Sequence, residues 1–166
     1  MGWLGHGKEP KVYDGLRRQI LTLNPASIHL APTATHPHVF AGLMEMGMGD
    51  DVASLVVVAD GTTSFYWSTG GGIIGAGFHE SVKGPSTAFL AALERHVAEL
   101  GPDPSSATPT AGMIHFRALT FDRGRLLAAG PEADFAGKRN PLWDVFFAGH
   151  AVITAIRKLP NVQKAA

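Results

Sequence analysis

The 166-residue sequence contains no cysteine. Disulfide bonds, thiolate nucleophiles, zinc knuckles and iron–sulfur ligation are therefore excluded, and the composition fits a reducing compartment. Long apolar runs are also missing, because runs such as LVVVA fall far short of the roughly 20 residues that a membrane helix requires. The opening residues, MGWLGHGKEPK, contain no apolar export signal. We therefore expect a cytoplasmic protein that does not enter a membrane.

An excess of charge of either sign is absent as well. Lys and Arg number 14, Asp and Glu number 14, and the formal net charge is zero. No long-range field attracts nucleic acid or an anionic membrane, so we expect neither as a partner. The composition is 45% hydrophobic and only 17% charged, which favours burial of some apolar surface against a partner. That partner is first of all a second copy of the chain, with another protein as the alternative.

The first part of the chain is expected to form a helix followed by an irregular insertion. Helical spacing of apolar residues predicts the helix over residues 12–23, ending at Asn24-Pro25. Its buried side is predicted to consist of Val12, Leu16, Ile20 and Leu23, with Arg17 and Arg18 on the opposite side. Three prolines and several threonines and glycines interrupt residues 24–50, so we expect no long element there.

Two segments are typical of β-hairpins. In VASLVVVADGTTSFYW, a β-branched run and an aromatic run flank Asp60-Gly61, which predicts a hairpin with a type I′ turn. The next residues, GGGIIGAG, are interpreted as a third, glycine-laced strand. Further along, MIHFRALTF and RLLAAG flank a DRG turn and predict a second hairpin.

Two further helices are predicted. The middle helix spans residues 85–100, opens at Pro85 and ends at Gly101-Pro102. The composition of residues 101–112, GPDPSSATPTAG, indicates a flexible linker. PEADFAGKR is expected to be a loop, and Asn140-Pro141 opens a last helix that closes at Pro160.

The element order is thus helix, two or three strands, helix, two strands, helix. Consecutive strands joined by hairpins predict a single α+β domain over residues 1–166, in which helices pack on the faces of an antiparallel sheet of about five strands. With the segment VVADGTTSFYWSTG at 57–70, residues 52–158 resemble the roadblock/longin-like, profilin-like modules. The resemblance implies a non-catalytic homodimeric platform for small GTPases or other partners.

The glycine-rich run after the first hairpin raises a second possibility. Gly70, Gly72 and Gly75 satisfy the dinucleotide-binding spacing G-x-G-x-x-G, but the predicted helix opens too late for that site. A close backbone approach or a bulge is therefore favoured, and phosphate binding stays open. The candidate ligand-binding residues are Gly70, Gly71, Gly72, Gly75, His79 and Glu80. The alternative function is a small hydrolase or a nucleotide- or phosphate-binding protein that uses loop 68–80.

Other candidate residues are fewer. His36 and His38 in THPH have the alternate spacing of two strand ligands for a metal, but no second cluster accompanies them, so a surface role is favoured. No catalytic residue and no cofactor is assigned. The last helix is apolar on most sides, and Trp143 and Phe147 at i and i+4 form a ridge predicted to be a dimer interface. The alternative is that insertion 24–50 covers this ridge.

Overall fold

The computed structural model describes residues 2–3 and 10–160. The strands are β1 (Gly2–Trp3), β2 (Val39–Met48), β3 (Asp51–Val58), β4 (Thr63–Trp67), β5 (Gly72–Ile74), β6 (Gly101–Pro102), β7 (Met113–Thr120) and β8 (Arg125–Pro131). The helices are α1 (Pro10–Leu21), α2 (Glu80–Arg95), α3 (Glu132–Ala136) and α4 (Trp143–Arg157). Short 3-10 turns occupy Pro25–Ile28, Ala76–Phe78 and Val97–Glu99.

The strands of the described residues form one eight-stranded sheet in the order β1-β5-β4-β3-β2-β7-β8-β6, with every neighbouring pair antiparallel. The predicted α+β class with an antiparallel sheet is confirmed. The prediction of about five strands is wrong, because β2 was not recognised and because the two-residue strands β1 and β6 extend the two edges.

Strand β2 corrects the prediction of an irregular insertion over residues 24–50. It lies at the centre of the sheet between β3 and β7, and every residue from Val39 to Gly47 is buried. Burial on both faces removes the polar–apolar alternation by which a strand is recognised in sequence. Its glycines, which weaken a strand signal, permit close packing, since a Cβ on Gly42 would overlap the side chain of Leu93.

Helices cover both faces of the sheet. On one face α2 and α4 pack over a large core that includes Phe89, Leu93 and Val145. On the other face α1 covers a smaller core around Tyr13 and Leu43. Side chains that alternate along β2 therefore enter two different environments, one on each face of the sheet.

Helix α1 is rotated relative to the prediction. Ile20 is buried as expected, but Val12 is exposed and Tyr13 takes an inward position. Arg17, predicted to face solvent, points at the sheet and keeps only 12% of its side-chain area exposed. A prediction from hydrophobic spacing assigns every arginine to the solvent-exposed side of a helix. It therefore misses an arginine whose guanidinium donates to a buried carboxylate.

The middle of the chain also differs from expectation. Helix α2 begins at Glu80 and accommodates Pro85 in its second turn instead of opening with it. Segment 101–112 is held against the sheet instead of forming a free linker, because Asp103 pairs with Arg117 and the Gly112 N–H donates to the Gly47 carbonyl at 3.0 Å. PEADFAGKR, predicted to be a loop, contains α3.

Both predicted hairpins are confirmed, and β5 is the predicted third strand. The type I′ turn at Asp60-Gly61 is wrong. Gly61 N–H donates to the Val58 carbonyl at 2.9 Å and Val58 N–H donates to the Thr62 carbonyl at 2.8 Å, which leaves a three-residue loop. Gly61 has φ of 100°, but Asp60 does not have the positive φ that type I′ requires.

Candidate functional site

The glycine run forms a tight turn between β4 and β5. Gly70 N–H donates to the Trp67 carbonyl at 3.0 Å, and Trp67 N–H donates to the Gly71 carbonyl at 3.1 Å. Gly70 and Gly71 have φ of 106° and 85°, values that glycine adopts readily. A Cβ on Gly72 would lie 2.5 Å from the Tyr66 Cβ. Backbone geometry thus accounts for all three glycines, and ligand binding by them stays a prediction.

The other predicted ligand residues lie where α2 begins. Gly75, with φ of 77°, precedes the 3-10 turn Ala76–Phe78. His79 is the N-cap residue, and its carbonyl accepts the Val82 N–H at 2.9 Å. Glu80 is the first residue of the helix and forms an ion pair with Lys83 at 3.1 Å.

A cleft of about 810 Å³ lies beside this helix start, and we call it the turn cleft. It is lined by residues 35–36, by residues 57–62 around the β3–β4 turn, by part of 74–78 and by the α2 side chains between residues 83 and 90. Of the predicted ligand residues, Gly75 lines it. A Cβ on Gly77 would overlap the Gly61 carbonyl oxygen, so glycine lets the two turns meet.

The polar groups of the turn cleft differ in how firmly they are held. Thr63 and Ser86, both buried, share a hydrogen bond of 2.9 Å that joins β4 to α2. The ammonium of Lys83 pairs with Glu80, and these side chains are 52% and 88% exposed. His36 Nδ1 is buried without a hydrogen bond and lies 4.0 Å from Glu94 Oε1.

The two histidines considered as metal ligands turn to different carboxylates. His38 Nδ1 lies 3.0 Å from Asp122 Oδ2, whereas His36 faces Glu94. Within residues 2–3 and 10–160, no group of three or more His, Asp or Glu side chains is arranged to hold a metal ion.

A dense cluster of polar side chains lies under α1 and was missed by the sequence reasoning. Its centre is Glu45, whose Oε1 accepts from Arg17 at 3.0 Å and from Arg117 at 2.6 Å. Glu45 Oε2 accepts from Arg17 Nε at 2.8 Å and from the Ser54 hydroxyl at 2.7 Å. We call these residues, with Tyr13 and Asp103, the Glu45 cluster.

Further contacts extend the Glu45 cluster across the sheet. Arg117 Nε donates to Asp103 Oδ2 at 2.9 Å, and the Tyr13 and Ser54 hydroxyls share a hydrogen bond of 2.9 Å. The side chains of Glu45, Arg117 and Asp103 have no solvent-exposed area. The two carboxylates and the guanidinium groups of Arg17 and Arg117 balance in charge. The available sequence signal was a single charged residue inside each of two apolar runs, GLMEMGM and IHFRALT.

The surroundings shift the proton affinity of the central carboxyl. Burial alone would raise the pKa of Glu45, but hydrogen bonds and positive charge from Arg17, with Ser54 and Arg117, outweigh burial and lower this pKa below its ordinary value. A carboxylate that is occupied at both oxygens and has a lowered pKa is a poor general base. Its role in the fold is to join α1 to β2, β3 and β7.

The pKa values of Asp103 and Tyr13 are shifted by the same physical effects. For Asp103 burial again acts to raise the pKa, and the hydrogen bond and charge of Arg117 reverse the effect, so the net pKa is lowered. Burial, followed by the charge of Glu45, raises the pKa of Tyr13 to about 12. Asp103 is therefore held ionised and Tyr13 neutral near neutral pH.

The predicted interface residues lie on the outer side of α4. Trp143 and Phe147 are 37% and 43% exposed, and their rings meet edge to face at a centroid distance of 6.1 Å. Lys138 Nζ lies 4.6 Å from the Trp143 ring centroid. The alternative that insertion 24–50 covers this ridge is wrong, because residues 39–48 lie in the sheet and Ile28 packs on the α1 side.

No helix in the described part of the chain is both long and apolar enough to span a membrane. Comparison of the chain with protein-family models, with curated proteins and with solved structures gives no match in any of the three. The resemblance to roadblock/longin-like modules therefore stays a prediction.

Proposed function

We propose that the protein is a non-catalytic, homodimeric binding module in which two copies meet through α4. The observation that carries this proposal is the exposed aromatic pair Trp143–Phe147 on a helix whose other sides are already packed. Two large rings that contact each other and water together form a local apolar patch, and large aromatic side chains dominate the energetics of protein interfaces.

The outer face of α4 has the pattern that a two-fold contact needs. Trp143, Phe147, Ala151 and Thr154 are exposed and recur at intervals of four, four and three residues, which aligns them on one face of a helix. Large rings occupy the first half and small side chains the second. In an antiparallel pair, Phe147 of one copy would lie opposite Ala151 of the other, so the surface complements itself.

Charge permits this association. The formal net charge of the chain is zero, so two copies do not repel each other over long distances. Lys138 at the ridge already lies over the Trp143 ring.

The non-catalytic part of the proposal is supported by the state of the Glu45 cluster. Its carboxylates are paired with guanidinium groups and closed off from solvent by α1 and segment 101–112. The resemblance to roadblock/longin-like modules supports the same interpretation, that of a scaffold for another protein. We place the scaffold in the cytoplasm because the sequence contains no cysteine.

Light scattering coupled to size-exclusion chromatography tests the proposal at micromolar concentration. We expect a mass of about twice 17.5 kDa for the parent protein. Trp143→Glu places a charge in the contact and should give the mass of one chain. Phe78→Glu is the matched control, because Phe78 is an exposed aromatic residue outside α4. A parent mass near that of one chain would reject the dimer, and a Trp143→Glu dimer would reject this interface.

A further inference from the structure

We propose that the turn cleft binds a small organic anion with an apolar body, for which Lys83 supplies the positive charge. This site does not depend on the proposed dimer, because the cleft is lined by residues before α4 and shares none of the exposed residues of its outer face.

The size and construction of the cleft favour a small-molecule ligand. Its volume of about 810 Å³ falls within the range of roughly 300–1,000 Å³ that is typical of ligand pockets. Two of its walls are held in place without a ligand. The hydrogen bond between Thr63 and Ser86 joins β4 to α2. Because Gly77 has no side chain, the turn before α2 packs directly against Gly61. The cleft is therefore formed before anything enters it.

The lining combines an apolar surface with hydrogen-bonding groups. Val57, Ile74 and Leu90 contribute apolar surface, and Thr62 and Thr87 contribute hydroxyl groups. Phe78 also lines the cleft and is 80% exposed, an unusual exposure for a phenylalanine. A ligand that spreads an apolar body over these residues would cover the Phe78 ring.

The lining contains one charged residue of each sign, Asp60 and Lys83, and Lys83 is the one that can attract an anion. The Asp60 carboxylate is engaged by its own turn, since Oδ1 accepts the Thr62 N–H at 2.9 Å. The ammonium of Lys83 is held by Glu80 in a pair open to solvent, and such pairs contribute little to stability. An anion in the cleft can therefore recruit Lys83 at small cost.

Fluorescence titration with anilinonaphthalene sulfonate, an aromatic anion, tests the site under native conditions. We expect one saturable site per chain. Lys83→Glu should weaken binding roughly five- to tenfold, since it replaces an attraction by a repulsion at a partly exposed position. Lys158→Glu is the matched control, because Lys158 is exposed and lies outside the cleft. The uncharged analogue phenylnaphthylamine should bind less tightly than the sulfonate.

A second pair of variants locates the probe. Thr87→Trp fills the cleft from an exposed helix position and should abolish binding, whereas Ala88→Trp, on the next residue outside the lining, should not. Melting curves show whether each variant is folded. Equal binding by the parent and Thr87→Trp, equal affinity for the charged and uncharged probes, or loss of binding in Trp143→Glu would each overturn the proposal. The last result would place the probe on α4 and leave the dimer test unaffected.

Discussion

At the scale of single residues, the main polar feature of the buried interior is the Glu45 cluster. Glu45, Arg117 and Asp103 have lost their hydration completely, and their hydrogen bonds replace it. Burial of paired charges contributes little net stability, yet removal of one partner leaves the others uncompensated in a medium of low dielectric constant. Separation of α1 from the sheet would break the ion pairs of the cluster, so such arrangements are unfavourable in free energy.

Neutralising Glu45 should therefore be costly. We expect Glu45→Gln to lower the free energy of unfolding by about 3–5 kcal/mol, because Arg17 would lose its anion and Arg117 would keep only Asp103. Urea denaturation at neutral pH measures the change. Glu80→Gln, at an exposed carboxylate, is the control and should cost less than about 1 kcal/mol.

If Glu45→Gln does not fold, Arg17→Gln provides the milder comparison, since Arg117 still compensates Glu45. We expect it to cost about 1–3 kcal/mol, the loss of charged hydrogen bonds at a partly buried site. A cost for either cluster variant no larger than that of Glu80→Gln would contradict the energetic role given to the cluster.

Stability should also fall in acid. The pKa values of Glu45 and Asp103 are lowered in the folded chain from ordinary values of 4.5 and 3.8. The unfolded chain therefore binds protons first as the pH falls, so the stabilisation is complete above these ordinary values and is lost as the pH drops through the folded ones. Urea denaturation from about pH 7 to about pH 3 measures the slope. Arg17→Gln should flatten it, and an identical slope would count against Glu45 as the source.

At the scale of elements, two glycines with equal space around them should respond in opposite ways to alanine. A Cβ at Gly61 or at Gly15 would meet no atom of a residue distant in the chain within 4 Å. Gly61 stands in the β3–β4 turn with φ of 100°, where an alanine costs roughly 1–2 kcal/mol. Gly15 lies inside α1, where alanine in place of glycine contributes up to about 1 kcal/mol of stability.

Chemical denaturation of Gly61→Ala and Gly15→Ala checks this contrast. We expect the first variant to unfold at lower denaturant concentration than the parent protein and the second at higher concentration. If Gly61→Ala is as stable as the parent, the positive φ at the turn is not required by the hairpin.

At the scale of the whole molecule, association and stability should be coupled. A dimer that forms through α4 is favoured by mass action, so the melting temperature should rise with protein concentration. We expect a measurable rise between about 1 and 100 μM for the parent protein and none for Trp143→Glu. Differential scanning fluorimetry across that range provides the measurement. A melting temperature independent of concentration for the parent protein would argue against the dimer.

Local signals allowed part of this architecture to be predicted from sequence. The hairpins, the helix after Asn140 and the need for glycine at 61 and at 70–72 follow from backbone preferences that act within a few residues. The absence of cysteine likewise excludes disulfide and thiolate chemistry within this sequence without reference to any fold. The exposed pair Trp143 and Phe147 also follows from helical spacing, because a residue and its i+4 neighbour share a face.

Contacts between distant residues were decided by the tertiary structure alone. Arg117 reaches Glu45 across 72 positions, and Arg17 reaches it across 28, so no local pattern reports either pair. Strand β2 could not be predicted from local sequence either, because burial of both faces removes the alternation of polar and apolar residues. The same is true of the turn cleft, whose lining includes the contact between Gly77 and Gly61. Strand order and register bring these residues together. Burial then excludes the water that would otherwise solvate each of them as it solvates a surface residue.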